Sequence, residues 1–402
     1  MVTITPAPKA ECPAPQKNVT INLSNFNDYY PELITALNQG ASIKTIINTF
    51  EKKIDQHDYP DGNVLLHEKI RYEIVDATND GIPEIILQGN SYRQRKAIIL
   101  GCSEGKYITL FSRTYPLDRT YLLPVDANQN GIIEIIVGDE KGSPLGSWFD
   151  LSVIEWHMDS FQTLLSDTES SSAFQLVQIK DIDNDKTKEI YWQFREYLYS
   201  LPPWRRGTII YKWNGEEFVP LPIKYDPAQY RFQAIQDGDR ATLDGNFTDA
   251  EKAYRETIFN AKLEWWSSQR QNDTMYKINN EGFSAVGTPV AGNPDPYEYP
   301  RLAAYAYFRI MLLHIVRGNE SDATTTYNTL QQKYGNDPYG SPYVEMATAL
   351  WKAYQSTHKM YDGCAAAIQY AVEHSEILIP LGSDYHGAQA KIYKPEDVCP
   401  FR

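Results

Sequence analysis

The feature that most constrains this chain is an acidic segment that occurs three times, each time directly before an apolar run. The copies read DATNDGIPEIIL from Asp76, DANQNGIIEIIV from Asp126 and DIDNDKTKEIYW from Asp181. Their first residues lie about 50 to 55 positions apart, a period typical of repeats that contain several strands each. The chain therefore carries a repeated unit in which an acidic loop leads into a strand.

Each copy places side-chain oxygens at positions one, three, five and nine, and the backbone carbonyl at position seven can add another ligand. Hard oxygen ligands, several of them charged, suit Ca²⁺, which accepts about six to eight of them. The pattern thus predicts Ca²⁺ loops. The predicted ligands are Asp76, Thr78, Asp80, Ile82 and Glu84 in loop 1, Asp126, Asn128, Asn130, Ile132 and Glu134 in loop 2, and Asp181, Asp183, Asp185, Thr187 and Glu189 in loop 3.

The same residues have two other interpretations. An EF-hand needs a glutamate at position twelve and flanking helices, whereas here the glutamate is at position nine and a strand follows. A solvated, metal-free turn rich in Asp and Asn is the remaining alternative. Loop 3 carries Lys186 where the other loops have Gly81 and Gly131, and Lys188 beside the last ligand. Because positive charge repels a cation, we expect loop 3 to bind Ca²⁺ more weakly.

Sequence patterns divide the chain into four regions. Residues 1–24 read as a flexible tether, and residues 25–60 as a pair of helices with an N-cap at Ser42 and a stop at Gly40. Residues 61–226 consist of short β-branched and aromatic runs, with an Asn-Gly hairpin turn at Asn214. Residues 227–402 return to helical spacing, and within them the aperiodic residues 267–300 are predicted as an insertion.

Helix starts in the second half are predicted from capping residues. Thr248 and Glu251 have the spacing of a capping box, and Ser321 is the expected cap of a later helix. Ala250 and Tyr254 are predicted core residues. On the later helix the residues expected to share one face are Ala323, Tyr327, Leu330 and Tyr334.

The acidic motif resembles the FG-GAP, or VCBS-like, repeats of the integrin-α β-propeller class, over about residues 62–224. This resemblance implies Ca²⁺ loops between the strands of propeller-type blades. Three visible motifs are fewer than a closed propeller of that class requires, so we expect a short, propeller-like β-repeat array. The fold class expected for the whole chain is multidomain β plus α.

The helical half resembles the tetratricopeptide (TPR) family. The residues that follow its small-and-large pattern are Gly238, Ala241, Gly245, Phe247, Ala250 and Tyr254. The resemblance implies helix hairpins that form a protein-binding surface. A plain helical bundle that only covers the β-domain is the alternative.

Charge and motif content narrow the function. A net charge of −14 without a basic stripe argues against a nucleic-acid partner, and no apolar run is long enough for a membrane span. No G-x-S-x-G, P-loop, H-E-x-x-H or G-x-G-x-x-G motif is present. The favoured interpretation is a non-enzymatic Ca²⁺-binding scaffold or protein-interaction protein. The alternative is a secreted carbohydrate-active protein, a sugar binder or glycoside hydrolase, that uses aromatic-rich surfaces.

The N-terminal composition and the cysteines bear on localisation. The Pro, Ala and Thr content of the first residues resembles the tether that follows a removed export signal. We therefore expect an extracellular or bacterial cell-envelope protein, and a lipid or envelope tether at the N-terminus is compatible with this composition. Cys364 and Cys399 are close enough in sequence to form a disulfide, while four isolated thiols is the other possibility.

Overall fold

The structure is a computed structural model that divides into two compact units. One unit comprises residues 1–198 and 208–224, and the other residues 199–207 and 225–402. Each unit is described by itself. The residues that the structure describes are 12–16, 19–25, 28–55, 70–91, 94–116, 119–143, 146–170, 177–195, 205–266, 276–277, 280, 295–382 and 392–401.

Three antiparallel sheets, each built from consecutive strands, form the β-region. The first contains β1 (Arg71–Val75), β2 (Glu84–Ser91), β3 (Gln94–Ser103) and β4 (Lys106–Pro116). The second contains β5 (Arg119–Val125), β6 (Glu134–Ser143), β7 (Gly146–His157) and β8 (Ser160–Ser170). The third contains β9 (Val177–Lys180), β10 (Glu189–Arg195), β11 (Arg206–Trp213) and β12 (Phe218–Pro220), with β13 (Lys224–Tyr225) paired to β11.

The sheets repeat one plan in detail. Every acidic loop connects the first strand of its sheet to the second. The pairing of third and fourth strands shifts register between Ile99 and Leu100 in the first sheet, and between Val153 and Ile154 in the second. The β11–β12 hairpin turns through Gly215 at φ +106°, as the Asn-Gly pair predicts. The sequence period thus corresponds to a structural repeat.

Two N-terminal helices, α1 (Tyr30–Asn38) and α2 (Ile43–Asp55), pack on one face of the first sheet. Phe50 is fully buried in the shared core. The predicted limits are confirmed, because Gly40 adopts φ +85° just after α1 and the Ser42 hydroxyl accepts the Thr45 N–H at 3.2 Å. The Tyr30 hydroxyl donates to the Lys96 carbonyl at 2.7 Å and fixes α1 on β3.

Part of the segment predicted as a tether is attached to this unit. Cys12 forms a disulfide with Cys102 on β3. The Gln16 N–H donates to the Gly40 carbonyl at 2.7 Å, and Leu23 is buried in the core beneath the helices. Residues 12–16 and 19–24 therefore belong to the folded β-unit.

The second unit is helical, so the coarse β-plus-α class is confirmed. Its α-helices are α3 (Arg231–Leu243), α4 (Phe247–Phe259), α5 (Glu298–Val316), α6 (Glu320–Tyr334), α7 (Ser341–Thr357) and α8 (Met360–Glu373). Consecutive helices pack as the hairpins α3–α4, α5–α6 and α7–α8. Among the described helices, none combines the length and the apolar composition that a membrane-spanning helix needs.

Two predicted caps, Thr248 and Ser321, are each wrong by two residues. Helix α4 begins at Phe247, and its cap is Asn246, whose side chain accepts the Asp249 N–H at 3.3 Å. Helix α6 begins after Asn319, so Ser321 lies inside its first turn. In both places an asparagine follows a glycine with positive φ, Gly245 or Gly318. The glycine ends the preceding turn, and the next polar residue then takes the cap position.

The predicted insertion, residues 267–300, ends later than the structure allows. Helix α5 starts at Glu298, inside that range. The buried Glu298 carboxylate accepts the Trp266 N–H at 2.9 Å, which ties the two ends of the segment together. Residues 267–275, 278–279 and 281–294 of the insertion lie outside the described residues.

A buried arginine organises the helical core. The Arg309 side chain on α5 is 1% exposed and lies 3.3 Å from the Asp239 carboxylate on α3. Its Nε donates to the Tyr254 hydroxyl at 2.9 Å, and its Nη1 donates to the carbonyls of Asp397 and Val398 at 2.9 and 3.0 Å. These bonds, with the disulfide Cys364–Cys399, hold residues 392–401 against the helices.

We expect Ala250→Leu to lower the free energy of unfolding of the helical unit by about 1–3 kcal/mol, because Ala250 is fully buried where α4 crosses its neighbours and a larger side chain would over-pack that contact. The matched control is Lys252→Leu, which places the same side chain on the exposed face of α4. Denaturant unfolding followed by far-ultraviolet circular dichroism measures both. Equal stability of the two variants would contradict the packing described here.

Candidate metal centre

The three loops share one closing interaction. Loop 1 is residues 76–84, loop 2 residues 126–134 and loop 3 residues 181–189. In each, the position-nine glutamate is the first residue of the following strand, is at most 2% exposed, and accepts the backbone N–H of position two through its Oε2. The pairs are Ala77 to Glu84 at 2.7 Å, Ala127 to Glu134 at 2.7 Å and Ile182 to Glu189 at 3.0 Å. One buried carboxylate thus fixes each loop on its strand.

Backbone turns are also common to the loops. Positions four and six have positive φ in all three: Asn79 (55°) and Gly81 (85°), Gln129 (62°) and Gly131 (87°), and Asn184 (61°) and Lys186 (79°). Lys186 therefore holds a conformation that favours glycine. The position-seven N–H donates to the position-five side chain, in the pairs Ile82–Asp80, Ile132–Asn130 and Thr187–Asp185. Loop 3 keeps the backbone frame of the other two.

Loop 1 gathers its predicted side chains through bonds to its own backbone. The Asp76 carboxylate accepts the N–H groups of Asp80 and Gly81 at 3.0 and 2.9 Å. The Thr78 hydroxyl donates to Glu84 Oε1 at 3.2 Å. Burial raises the pKa of Glu84 above its ordinary value. Within the described residues, the loop 1 carboxylates do not form a close trio of the kind seen in loop 3, but Asp76 is fixed on the loop backbone and Thr78 on a glutamate that is costly to keep charged.

Among the described residues, two carboxylate oxygens of loop 2 lack a hydrogen bond, although the Lys188 ammonium group lies close by and donates to the Asp126 carbonyl at 3.1 Å. Within the described part of the chain, Asp126 Oδ1 and Glu134 Oε1 are buried and have no hydrogen-bond partner. Burial, followed by the nearby Glu155 carboxylate, raises the pKa of Glu134 to about 7. The side-chain amides of Asn128 and Asn130 donate to Glu155 Oε2 at 2.9 and 2.7 Å. These residues fit a bound cation, because a positive ion would compensate the buried negative charge.

In loop 3 a lysine side chain lies among the predicted ligands. The ammonium group of Lys212, on β11, hydrogen-bonds to Asp183 and lies 3.0 Å from Asp185 Oδ2 and 3.7 Å from Glu189 Oε1. Ligand oxygens of Asp181, Asp183 and Glu189 lie within 4.8 Å of one another, which is the one such acidic trio among the described residues. Loop 3 brings its predicted ligands together, but they do not fit a metal ion beside this ammonium group.

Lys188, which sequence reasoning placed near the last ligand of loop 3, contacts loop 2. Its backbone N–H donates to the Ala127 carbonyl at 2.8 Å, and its Nζ donates to the Asp126 carbonyl at 3.1 Å. The positive charge among the loop 3 carboxylates therefore comes from Lys212, a residue that the motif analysis did not select.

Sequence reasoning missed one position on the third strand of each sheet. Gly101 follows Leu100, the partner of Ile85 on β2, and Glu155 follows Ile154, the partner of Ile135 on β6. Each therefore borders the position-nine glutamate of its sheet, and in the third sheet Lys212 on β11 contacts Glu189 through its side chain. An alignment of the third strands of the repeats would have drawn attention to these residues, because one is uncharged, one is negative and one is positive.

No protein-family model, curated protein or solved structure matches the chain. The motif residues and their geometry therefore carry the functional argument. That argument is strongest at loop 2, where two buried oxygens have no partner within the described residues.

In the presence of a Ca²⁺ chelator, we expect the stability of the β-unit to fall as the pH rises from about 4.5 to about 7. The folded state holds the Glu134 proton more tightly than the unfolded chain does, so ionisation at higher pH destabilises the fold. Glu134→Gln should reduce this slope, leaving the smaller part that the raised pKa of Glu84 contributes, and raise the free energy of unfolding at pH 8 by about 1–3 kcal/mol. Glu104→Gln, in an exposed turn, is the control. Parallel pH profiles for Glu134→Gln and wild type would contradict this assignment.

Proposed function

We propose that loops 1 and 2 bind Ca²⁺ and that the protein is a Ca²⁺-stabilised scaffold that recruits another protein. The observation that carries the proposal is the pair of buried oxygens in loop 2, Asp126 Oδ1 and Glu134 Oε1, for which the described residues supply no hydrogen bond. A buried carboxylate without a counter-charge costs several kcal/mol, roughly, and usually acquires a proton or a cation. At neutral pH a divalent cation is the more effective partner.

The chemistry of the ligands favours Ca²⁺ over transition metals. Loop 1 offers the carboxylates of Asp76, Asp80 and Glu84 with the Thr78 hydroxyl, and no nitrogen or sulfur ligand is among the predicted set. Oxygen-only sites with several carboxylates suit hard cations, and a flexible loop suits the larger, less directional Ca²⁺ ion. These loops would then act as fixed joints between the first two strands of each sheet.

The repeat architecture supports the two family resemblances as proposals. Three sheets of consecutive antiparallel strands have the strand order of propeller blades. In the helical unit, a Cβ added to Gly238 would lie 2.4 Å from Tyr254 Cε1, so α3 and α4 approach closely at a small residue, as TPR-like hairpins do. We therefore propose FG-GAP-like repeats followed by TPR-like repeats.

The disulfides support a location outside the cytoplasm. All four cysteines are paired, as Cys12–Cys102 and Cys364–Cys399. Structural disulfides persist in oxidising compartments and are rare in the cytosol of mesophiles. An extracellular or cell-envelope location remains a proposal that is consistent with these bonds.

Ca²⁺ should raise the melting temperature of the β-unit. Binding to the folded state alone adds about 2.7 kcal/mol per site when free Ca²⁺ is a hundredfold above Kd. We expect Asp126→Ala and Asp76→Ala each to remove the part of the shift that belongs to its own loop. Calorimetry with and without chelator measures the effect.

Asp159→Ala is the matched control for this experiment, because Asp159 is exposed in the β7–β8 turn and belongs to none of the loops. It should keep the full Ca²⁺ shift. A wild-type melting curve that does not change in chelator, together with no bound Ca²⁺ by elemental analysis, would refute the Ca²⁺ proposal.

The protein partner is proposed to bind the helical unit, but the chain itself already covers part of that unit. Residues 392–401 contact α3, α5 and α8 through Tyr393, Val398 and Cys399, and the Tyr393 hydroxyl donates to Asp239 at 2.6 Å. A partner would therefore use surfaces outside this contact. Residues 267–294, with their tyrosine and prolines, are the proposed addition to that surface.

Replacing residues 267–294 with a Gly/Ser linker should leave the melting temperature of the helical unit unchanged, because aperiodic polar segments bury little apolar surface and loop entropy depends weakly on length. Residues 295–300 are kept, since Glu298 bonds to the Trp266 N–H. Partner capture from a cell-envelope extract should be lost. Retained capture, or collapse of the helical fold, would contradict the assignment of this segment to binding.

A further inference from the structure

We propose that Lys212 is a built-in cation of loop 3: its ammonium group takes the place that Ca²⁺ takes in loops 1 and 2, so that loop 3 folds without metal and excludes it. The proposal deepens the proposed function, because it uses the Ca²⁺ loops as its comparison. It divides three sequence-similar loops into two that depend on a metal ion and one that does not.

The contacts of Lys212 are those of an ion held by the loop. Its Nζ reaches the side chains at positions three, five and nine, which are Asp183, Asp185 and Glu189. These are positions that the sequence pattern assigns to metal ligation. Glu189 is fully buried, and its Oε1, which lacks a conventional hydrogen bond in the described structure, faces this ammonium at 3.7 Å. Lys212 therefore supplies the positive charge that this oxygen requires.

The rest of loop 3 is built like its Ca²⁺-type neighbours. The N–H of Ile182 closes onto Glu189, Thr187 bonds back to Asp185, and Asn184 and Lys186 adopt the same left-handed turns as their counterparts. Since the backbone frame is the same, the difference between the loops is confined to what neutralises the carboxylates.

The number of carboxylates in each loop agrees with the proposal that Lys212 replaces Ca²⁺ in loop 3. Loops 1 and 2 each combine three carboxylates, when the third-strand residue is included, whereas loop 3 combines four. The sets are Asp76, Asp80 and Glu84; Asp126, Glu134 and Glu155; and Asp181, Asp183, Asp185 and Glu189. On the third strand, the position beside the position-nine glutamate is Gly101 in the first sheet and Glu155 in the second, and in the third sheet Lys212 of the third strand contacts Glu189. The sheet with the most acidic loop is the one that carries the lysine.

The test is Lys212→Met in the full chain, which keeps most of the apolar stem and removes the charge. We expect the variant to bind one more Ca²⁺ per chain than wild type, measured by equilibrium dialysis with elemental analysis. In chelator its melting temperature should fall below that of wild type, and added Ca²⁺ should restore it. Lys224→Met, an exposed lysine on β13, is the matched control and should change neither value.

Three further variants distinguish the loss of the lysine charge from simple misfolding. Lys212→Arg keeps a cation and should gain no Ca²⁺. Asp183→Asn introduced together with Lys212→Met should lose the gained ion, because it removes one of the vacated ligands. If Lys212→Met does not fold, Lys212→Gln enters the same dialysis, with the same gain of one Ca²⁺ expected.

The outcomes separate this inference from the proposed function. If Asp183→Asn binds one Ca²⁺ fewer than the wild-type protein, then loop 3 of the wild-type protein binds Ca²⁺. That result would overturn the inference and leave the proposal for loops 1 and 2 unchanged. If the wild-type protein binds no Ca²⁺ and Lys212→Met binds one Ca²⁺ per chain, the result would support the inference and refute the proposed function. No gain of Ca²⁺ in any folded Lys212 variant would overturn the inference.

Discussion

The β-unit depends on a buried glutamate carboxylate at the entrance to the second strand of each sheet. The backbone N–H of position two binds one oxygen of this group and so sets the curl of the loop. The second oxygen lies in the same desolvated place and needs its own compensation. A glutamate at this position therefore closes the loop and at the same time creates a demand for positive charge or a donor.

The group that faces the second glutamate oxygen differs between the repeats, although the loop backbone is the same. In loop 1 the Thr78 hydroxyl donates to the second oxygen, in loop 2 the described residues offer it no hydrogen bond, and in loop 3 it faces Lys212. The variation comes from one position within the loop and one on the third strand, neither of which alters the strand pairing. Similar loops can in this way acquire different dependence on cations without any change in fold.

The local features of the fold could be predicted from the sequence. The loops, the strand-rich region, the stop at Gly40 and the cap at Ser42 each follow from a few consecutive residues with definite backbone preferences. The predicted helix caps are wrong where two nearby residues could both cap the helix, as Asn246 and Thr248 could for α4. The roles of Glu155 and Lys212 could not be predicted, because pairing across a sheet brings them to the loops. The disulfide Cys12–Cys102, with a separation of 90 residues, is beyond local pattern for the same reason.

The contact between Arg309 and the carbonyls of Asp397 and Val398 has a consequence for the order in which the helical unit can be completed. In helical repeat proteins each repeat contacts only its neighbours, so folding can start in any repeat and spread to the next one. Here a guanidinium group in the middle hairpin takes two of its acceptors from residues almost 90 positions further along the chain, whereas its partners Asp239 and Tyr254 precede it. The earlier partners are therefore available first, and the bonds of this arginine are complete only when residues 397 and 398 have joined the helical unit.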